Sequence, residues 1–320
     1  MMKETAILRE VEKVEILTLQ GNFIEITATD NSAIISRARF LINGEIRTSI
    51  RAEHGFSAVV RTTTAGRTRT LLFDFGFSKD GAAANARALG VNMGEIEVMV
   101  LSHGHSDHFG GFEELVKMIA KGGVELVVHP AAFKRERYLK FGGDFKARFP
   151  QMTRQEIEKA GVRLRETKEP LPLLDGDVLY LGEISRTTEF EKGMPNAFFA
   201  DKGVETWDAI EEDTGIAINI KGRGLVVLTG CAHSGIVNTV NYARTVTGVN
   251  PVHVIMGGFH LAGPAFEPIV GKTIAELKKI NPAYIVPTHC TGRKSVMEIE
   301  KAMPAQFILN MAGTGLTFSS

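Results

Sequence analysis

Short apolar runs separated by glycine-containing turns dominate the first half of the chain. Strands are predicted where β-branched and large apolar residues cluster, and helices where Ala-rich or amphipathic stretches end at glycine. The predicted strands are 14–19, 57–61, 70–74, 98–101 and 124–128, and the predicted helices are 80–89 and 112–120. The charged stretch 131–170 is expected to form helices and loops laid over the core.

The second half repeats this order of strands and helices. Strands are predicted at 177–181, 215–220, 225–229, 252–256, 284–286 and 306–309, and helices at 236–246, 268–280 and 295–302. Strands followed by alternating strands and helices, twice over, predict an α/β fold in which two mixed sheets pack together with helices outside. We therefore expect an αββα sandwich in which residues 1–320 form a single domain.

The composition narrows the possible partners. Lys plus Arg equals Asp plus Glu, 37 against 37, so no net charge attracts nucleic acid or an anionic membrane. No window reaches 18 uninterrupted apolar residues, and the charged start of the chain does not resemble a signal peptide. Two cysteines are too few for a disulfide framework. We expect a cytoplasmic protein that acts on a small molecule, and the sequence leaves its oligomeric state open.

One segment concentrates metal-binding side chains. His103, His105, Asp107 and His108 follow directly after the predicted strand 98–101. Imidazole nitrogen and carboxylate oxygen are the donors that zinc, iron and manganese accept in proteins, and Gly104 lets the loop fold tightly between two of them. The sequence therefore predicts a site for one or two divalent ions, with zinc the expected metal and iron or manganese the alternatives.

Other predicted strand ends carry further donors, at the position where α/β sheets collect ligands. The candidates are Asp74, Cys231, His233, His260 and His289. We predict that His233 and His289 are metal ligands, whereas Cys231 is either a ligand or an ordinary buried thiol. Asp74 is expected to brace the 103–105 loop from outside the metal shell. The remaining histidines, His54, His129 and His253, are expected to have structural roles.

These features together resemble the metallo-β-lactamase superfamily. The resemblance rests on the strand ending at Asp74, the run His-x-His-x-Asp-His-x-x-Gly-Gly beginning at His103, and the late strand before His289. It implies an αββα fold with a two-metal centre at one edge. His103 and His105 would hold the first metal, and Asp107, His108 and His289 the second. The stretches 52–57, 182–184, 229–236 and 257–261 resemble one branch, the dihydropterin-type proteins named after an enzyme of methanopterin synthesis.

The chain departs from the common family pattern at two ligands. The common family pattern has a third histidine for the first metal, between the 103–108 cluster and the middle strand. Here the only histidine between positions 108 and 233 is His129, which comes too early to fit. Either Glu183 or His233 therefore takes that role. Cys231 stands where the family usually has a metal-bridging aspartate. A thiolate can bind zinc, but it makes the site sensitive to oxidation.

The leading functional hypothesis is metal-dependent hydrolysis of a phosphoester, a lactone or a similar ester, with metal-activated water as the nucleophile. Asp107 would orient the water, and His260 would bind substrate or protonate the leaving group. Ser234 and Gly235 open a predicted helix and offer backbone N–H groups to a phosphate.

Two alternatives come from the resemblance. One is a lyase or transferase that condenses a pterin diphosphate with an aminobenzene ribose phosphate. The other is a redox di-iron protein, which is disfavoured because such relatives usually carry Glu at position 105 and a following flavin domain.

Overall fold

The computed structural model describes residues 8–46, 50–143 and 145–320. Within these ranges the chain forms 21 strands and seven α-helices. Up to residue 166 the strands are β1 (Glu10–Val11), β2 (Lys13–Gln20), β3 (Ile35–Ser36), β4 (Leu41–Ile42), β5 (Glu45–Ile46), β6 (Ser57–Thr64), β7 (Arg67–Phe73), β8 (Val98–Val100), β9 (Glu125–Val128), β10 (Arg137–Lys140), β11 (Lys146–Arg148) and β12 (Arg163–Glu166).

The remaining elements complete the same pattern. The later strands are β13 (Leu171–Leu173), β14 (Val178–Tyr180), β15 (Ala197–Asp201), β16 (Val204–Trp207), β17 (Gly215–Ile220), β18 (Gly224–Thr229), β19 (Val252–Gly258), β20 (Tyr284–Thr288) and β21 (Gly315–Ser319). The helices are α1 (Gly81–Ala88), α2 (Ser106–Phe109), α3 (Phe112–Ile119), α4 (Arg154–Lys159), α5 (Ile236–Thr247), α6 (Glu267–Ile280) and α7 (Arg293–Ala302).

Two large mixed sheets form the centre of the molecule. The first has eight strands in the order β12-β9-β8-β7-β6-β2-β21-β3. The second has the order β13-β14-β17-β18-β19-β20, with β1 paired to β17. Strands β7, β8, β9 and β12 run parallel, as do β18, β19 and β20. Parallel strands end at a common edge, so the loops that follow them can meet there.

Apolar side chains pack in three layers. Between the sheets, Ile16 and Phe73 of the first sheet share one core with Ile218 and Val226 of the second. Two further clusters lie on the outer faces of the sheets, one under α1 and α3 and one under α5 and α6. This arrangement of helix, sheet, sheet and helix is the predicted αββα sandwich.

The charged stretch 131–170 differs from the sequence expectation. Helix α4 is present, but most of the stretch is extended, and β10 and β11 join β15 and β16 in a separate four-stranded sheet. The prediction of helices and loops was wrong here because the pairing is not local. Strand β10 pairs with β15, about 60 residues later in the chain, and charged side chains such as Lys140 lie over its aromatic rings.

The last part of the chain also differs. Residues 306–309 form a single bridge, between Ile285 and Phe307, and not the predicted strand. The final strand is β21, which pairs with β2 from the start of the chain. Strand β20 continues through Pro287 to Thr288, two residues beyond the predicted strand 284–286. A proline is tolerated because β20 is the last strand of its sheet, and beyond the bridge at Ile285 it pairs only with β19.

Among the described residues, no helix combines the length and the apolar character that crossing a lipid bilayer requires.

Candidate metal centre

The loop after β8 delivers four donors to the edge of the first sheet. His105 caps α2 and Asp107 and His108 lie in its single turn, so the side chains leave the loop in different directions. The turn back toward α3 depends on close backbone contact. A Cβ atom at Gly110 would lie 1.7 Å from the carbonyl oxygen of Phe77, so only glycine fits at this position.

Three histidines form what we call the first donor group: His103, His105 and His233. One ring nitrogen from each lies within 4.8 Å of the others. The His233 ring centroid is 4.9 Å from that of His103 and 4.9 Å from that of His105. Both ring nitrogens of His233 are buried without a hydrogen-bond partner among the described residues. The structure therefore places His233, from the loop after β18, beside the two clustered histidines, where it can complete a set of three imidazole donors.

Glu183, the alternative third ligand, lies outside this group. Its carboxylate is half-exposed and lies 3.3 Å from Nε2 of His129 and 3.8 Å from Nζ of Lys168. The expectation for Glu183 was wrong because the turn that carries it, after β14, packs against the segment after β12. His129 is fully buried there, in a structural role.

Four residues form the second donor group: Asp107, His108, Cys231 and His289. Nε2 of His108 lies 3.1 Å from Nε2 of His289 and 3.2 Å from Sγ of Cys231. Oδ2 of Asp107 lies 3.1 Å from Nε2 of His289. The late histidine thus reaches the early cluster across 181 residues of sequence. The two groups adjoin, since the ring centroids of His103 and His108 are 4.2 Å apart.

Hydrogen bonds hold the second group in place. Asp74 accepts from the backbone N–H and hydroxyl of Ser102 at 2.7 and 2.8 Å, and its Oδ2 lies 2.6 Å from Nδ1 of His108. On the other side, Oδ1 of Asn22 lies 3.1 Å from Nδ1 of His289. Asp74 lies outside both donor groups, but it holds Ser102 and His108 and not residues 103–105, which it was expected to brace. Asn22 was missed, because an exposed asparagine after a strand gives no signal in the sequence.

Burial keeps four of the imidazoles neutral. Burial lowers the pKa of His105 to about 3 and that of His289 to about 4. Burial and the neighbouring histidines lower the pKa of His103 and His233 well below the ordinary value. A neutral imidazole presents the lone pair that a metal ion requires, so these side chains are in the protonation state of ligands at neutral pH.

The pKa values of Asp107 and His108 depend on neighbouring charged groups as well as on burial. Burial opposes ionisation of Asp107, but His108 and His289 outweigh it and hold the pKa of this carboxyl below its usual range. Burial would also lower the pKa of His108, but the carboxylate of Asp74 raises it. Burial raises the pKa of the Cys231 thiol, so thiolate at this position needs a nearby cation.

Several residues at the site occupy a strained backbone conformation. Asp74, Ala232, His260 and His289 have φ between 44° and 56°, the left-handed region that non-glycine residues rarely adopt. Such conformations persist where the surrounding structure enforces them, and they cluster at functional sites. Four such residues lie in loops that meet at this edge, which is consistent with its being the candidate functional site.

His260 lies beside the first donor group and not in it. Its ring centroid is 4.2 Å from that of His233, and its Nδ1 is buried without a hydrogen-bond partner among the described residues. Burial lowers the pKa of His260 to about 4. The side chain also lines a cavity of about 450 Å³ that reaches His233.

The expected phosphate site at the start of α5 is already filled by protein groups. The carboxylate of Glu191 accepts from the backbone N–H groups of Val237 and Asn238 at 2.9 and 2.8 Å. Asp213 accepts from the N–H of Ser234 at 2.9 Å. The expectation was wrong because Glu191 and Asp213 come from distant segments that the local sequence does not reveal.

Two histidines taken as structural have different surroundings. His253 packs against the rings of Tyr284 and Phe318, away from the donors, as expected. His54 lies at the site, with Nε2 3.3 Å from Oδ2 of Asp107 and its ring 4.6 Å from that of His289. Its side chain is 58% exposed, so it forms the solvent side of the second donor group.

An αββα sandwich with clustered histidine, aspartate and cysteine side chains at one sheet edge defines a class of metal-site proteins. The model of the Metallo-beta-lactamase superfamily matches residues 50–289. The chain belongs to this superfamily.

The chain is also similar to two proteins of one archaeon and to a solved structure. A 7,8-dihydropterin-6-methyl-4-(beta-D-ribofuranosyl)-aminobenzene-5'-phosphate synthase of Methanocaldococcus jannaschii is 32% identical over 247 residues, 76% of this chain and 83% of the relative. An uncharacterized protein of the same organism is 28% identical over 250 residues, 78% of this chain and 88% of the relative. A solved structure described as a metal-dependent hydrolase of the beta-lactamase superfamily has a TM-score of 0.70 at 22% identity, and covers 96% of this chain and 100% of that one.

Proposed function

We propose that the protein is a metal-dependent hydrolase that cleaves a phosphoester, a lactone or a similar ester of a small molecule. The observation that carries this proposal is the adjacency of the two donor groups. Each offers at least three ligand atoms within 4.8 Å of one another. Two adjacent sites of this kind suit an ion at each, and paired ions about 3.5–4 Å apart stabilise both the attacking and the leaving oxygen in hydrolysis.

The residues present fit divalent metal ions. His233 has two buried ring nitrogens without partners among the described residues, an arrangement that is costly unless a further group binds there. The nitrogen, oxygen and sulfur donors are those that zinc prefers, and iron and manganese are the next candidates. A divalent ion held by these residues supplies Lewis acidity and lowers the pKa of a water molecule from ~15.7 toward ~7.

Asp107 and His260 have separate roles in this proposal. Asp107 remains ionised, and its Oδ2 faces the second donor group and the exposed side at His54, so it can accept a hydrogen bond from the attacking water. His260, with its pKa lowered to about 4 by burial, is neutral at pH 7. We therefore assign His260 to hydrogen bonding with substrate and not to protonating the leaving group.

A second candidate is the condensation of a pterin diphosphate with an aminobenzene ribose phosphate. The observation that favours it is the 32% identity to the synthase of M. jannaschii over 83% of its length. The same donor groups would then hold metal ions that stabilise a departing diphosphate.

One experiment separates the two candidates. Protein loaded with zinc is incubated in ¹⁸O-labelled water with phosphomonoesters, phosphodiesters, lactones and thioesters, each without a second organic substrate. The hydrolase proposal expects turnover and one ¹⁸O atom in the released acid or phosphate. The variant with both His103→Ala and His105→Ala serves as the inactive control. A parallel incubation supplies a pterin diphosphate with and without an aminobenzene ribose phosphate. Product formed only when both are present, with diphosphate released and no ¹⁸O incorporated into the aromatic product, would establish the condensation instead.

Both cysteines are free in the structure. Since Cys231 contributes to the second donor group only as a reduced thiol, we further propose that the protein acts in a reducing compartment such as the cytoplasm.

A further inference from the structure

A cavity of about 450 Å³ opens beside the first donor group. It is bounded by the loop before β15, the end of β16 and the segments that begin α5 and α6, and its inner end is formed by His233 and His260. This volume lies within the range of small-molecule sites, about 300–1,000 Å³. Because His233 belongs both to the cavity and to the first donor group, a molecule in the cavity extends directly to the reacting centre.

Aromatic rings line this cavity. Phe190, Trp207 and Phe266 all contribute to its lining, and the ring of Phe266 packs edge-on against His260 with centroids 4.6 Å apart. The indole of Trp207 is fixed by a hydrogen bond from Nε1 to the carbonyl of Met194 at 2.9 Å, yet 41% of the residue is exposed. A fixed indole with an uncovered surface is suited to stacking against a planar ligand.

The charges in the cavity do not suit an anion. Lys192 carries the one full positive charge among the described lining residues, and it is exposed. The carboxylate of Glu191 is buried in the wall and occupies the backbone N–H groups that begin α5. A phosphate in this cavity would therefore meet a carboxylate and find these helix N–H groups already bonded. The Nδ1 of His260 has no hydrogen-bond partner among the described residues and offers a directed polar contact to a neutral group.

We propose that this cavity binds a planar aromatic ring of the substrate, with the reacting group directed past His233 to the two donor groups. The inference rests on the proposed function, because it assigns the part of the substrate that does not react. Phe190, Trp207 and Phe266 contact the ring faces and edges, and His260 binds a polar substituent or ring heteroatom. A charged group of the substrate lies at the metal centre or in solvent, and not in the cavity.

Binding can be measured without turnover, because Trp207 is the only tryptophan of the chain. The zinc-loaded protein is titrated with 2-naphthol and, separately, with decahydro-2-naphthol, which has the same skeleton without aromaticity. Tryptophan fluorescence and calorimetry are both recorded. We expect 2-naphthol to change the Trp207 emission and to bind about 5-fold or more tightly than its saturated counterpart, since each favourable ring contact contributes a factor of roughly 2 to 10.

Matched variants test whether the rings cause this preference. Phe190→Leu and Phe266→Leu keep apolar volume but remove one ring each, and each should weaken 2-naphthol binding by about 3- to 10-fold while decahydro-2-naphthol binds as before. Two variants are needed because Phe266 also packs against His260, so Phe266→Leu alone does not separate loss of the ring from a shift of His260. Phe141→Leu is the control, since this phenylalanine is 61% exposed and lies outside the cavity.

Equal affinity for the two compounds, or an unchanged preference in both Leu variants, would overturn the aromatic subsite. The outcome is independent of the reaction. Ring binding with no hydrolysis of any ester supports the subsite and contradicts the proposed hydrolase, whereas hydrolysis with no ring preference in binding contradicts the subsite alone.

Discussion

The two donor groups differ in charge and in how they are held. The first consists of three neutral imidazoles, and none of its members is anionic. The second includes the carboxylate of Asp107 and a thiol, and its histidines are fixed by Asp74 and Asn22. Anionic donors and outer hydrogen bonds both raise affinity for a divalent cation. We therefore expect the second group to bind a metal ion more tightly than the first, which would hold a more exchangeable one.

The first group is supported differently, by a buried network of ion pairs. Arg137 lies 2.7 Å from Asp208 and 2.5 Å from Glu212, and all three side chains are at most 2% exposed. Glu212 in turn accepts from the backbone N–H of Gly104, between the two clustered histidines, at 3.4 Å. Support for the first group thus acts on the backbone of the loop, whereas support for the second acts directly on the imidazoles.

The largest effect is expected from removing the first group. With both His103→Ala and His105→Ala, metal content should fall to that of the second group or less, and kcat/KM should drop by more than about 1,000-fold, because water loses most of an activation worth about 9 pKa units. Metal analysis after dialysis and ester hydrolysis measure both. His253→Ala, which removes a histidine away from the donors, should retain metal and activity. Full metal content in the double variant would refute the site.

His289→Ala tests the second group across the fold. We expect the affinity for one equivalent of metal to fall by more than about 100-fold, while the other equivalent is retained. Loss of a residue that only hydrogen-bonds to a ligand typically costs about 10- to 100-fold, so loss of a ligand itself should cost more. Competition with a chelator measures the two affinities, and circular dichroism checks the fold. If the weakly bound equivalent is lost and the tight one is kept, our ranking of the two groups is wrong.

Asn22→Ala should have a smaller effect through the same histidine. Loss of the partner at Nδ1 of His289 should weaken metal binding or lower kcat by about 10- to 100-fold. Asn22→Asp keeps an oxygen that can accept from Nδ1 and should recover most of the loss. An Asn22→Ala variant with the metal affinity of the wild type would show that the contact does not position His289.

The smallest expected effect is on folding stability, and it comes from the buried ion pairs that support the first group. Arg137 and Lys134 overcome the cost of burial and lower the pKa of Asp208 from 3.8 to about 2. A carboxyl group whose pKa is lower in the folded than in the unfolded state stabilises the folded state at pH values above its unfolded pKa. The stabilisation is lost as the pH falls through the folded pKa, so for Asp208 it disappears between about pH 4 and pH 2. It amounts to about 2 kcal/mol.

Urea unfolding at pH 6, 4 and 3 measures this contribution. The free energy of unfolding of Asp208→Asn should decline less steeply below pH 4 than that of the wild type. Asp201→Asn, which removes an exposed carboxylate at the end of β15, serves as the comparison and should follow the wild type. Parallel curves for wild type and Asp208→Asn would contradict the assignment.

Several elements of the fold could be predicted because their signals are local. Strand β17 was predicted with its observed bounds, since Gly215 and Ile220 delimit an apolar run. Helix α5 was predicted to within one residue of its end, because an amphipathic stretch stops at Gly248. By contrast, β15 and β16 were missed, and β21 as well, since these strands depend on partners that are distant in the sequence.

The sequence was enough to predict a metal site at one edge of the fold. Four donors within six residues, from His103 to His108, are far denser than a polar turn requires, and an apolar strand before each further donor placed His233 and His289 at sheet ends. It also determined the sandwich architecture, since the alternation of strands and helices follows from residue-by-residue apolar patterns.

The tertiary structure shows which donors lie close together and what surrounds them. His233 lies beside His103 and His105, whereas Glu183 lies outside their group. Cys231 is within 3.2 Å of His108, and Asn22 contacts His289. The tertiary structure also filled the start of α5 with Glu191 and lined the cavity beside His260 with aromatic rings. The physical reason is common to all of these: each is a contact between segments that are far apart in the chain, and it is fixed by the packing of two sheets and by burial, neither of which a local pattern records.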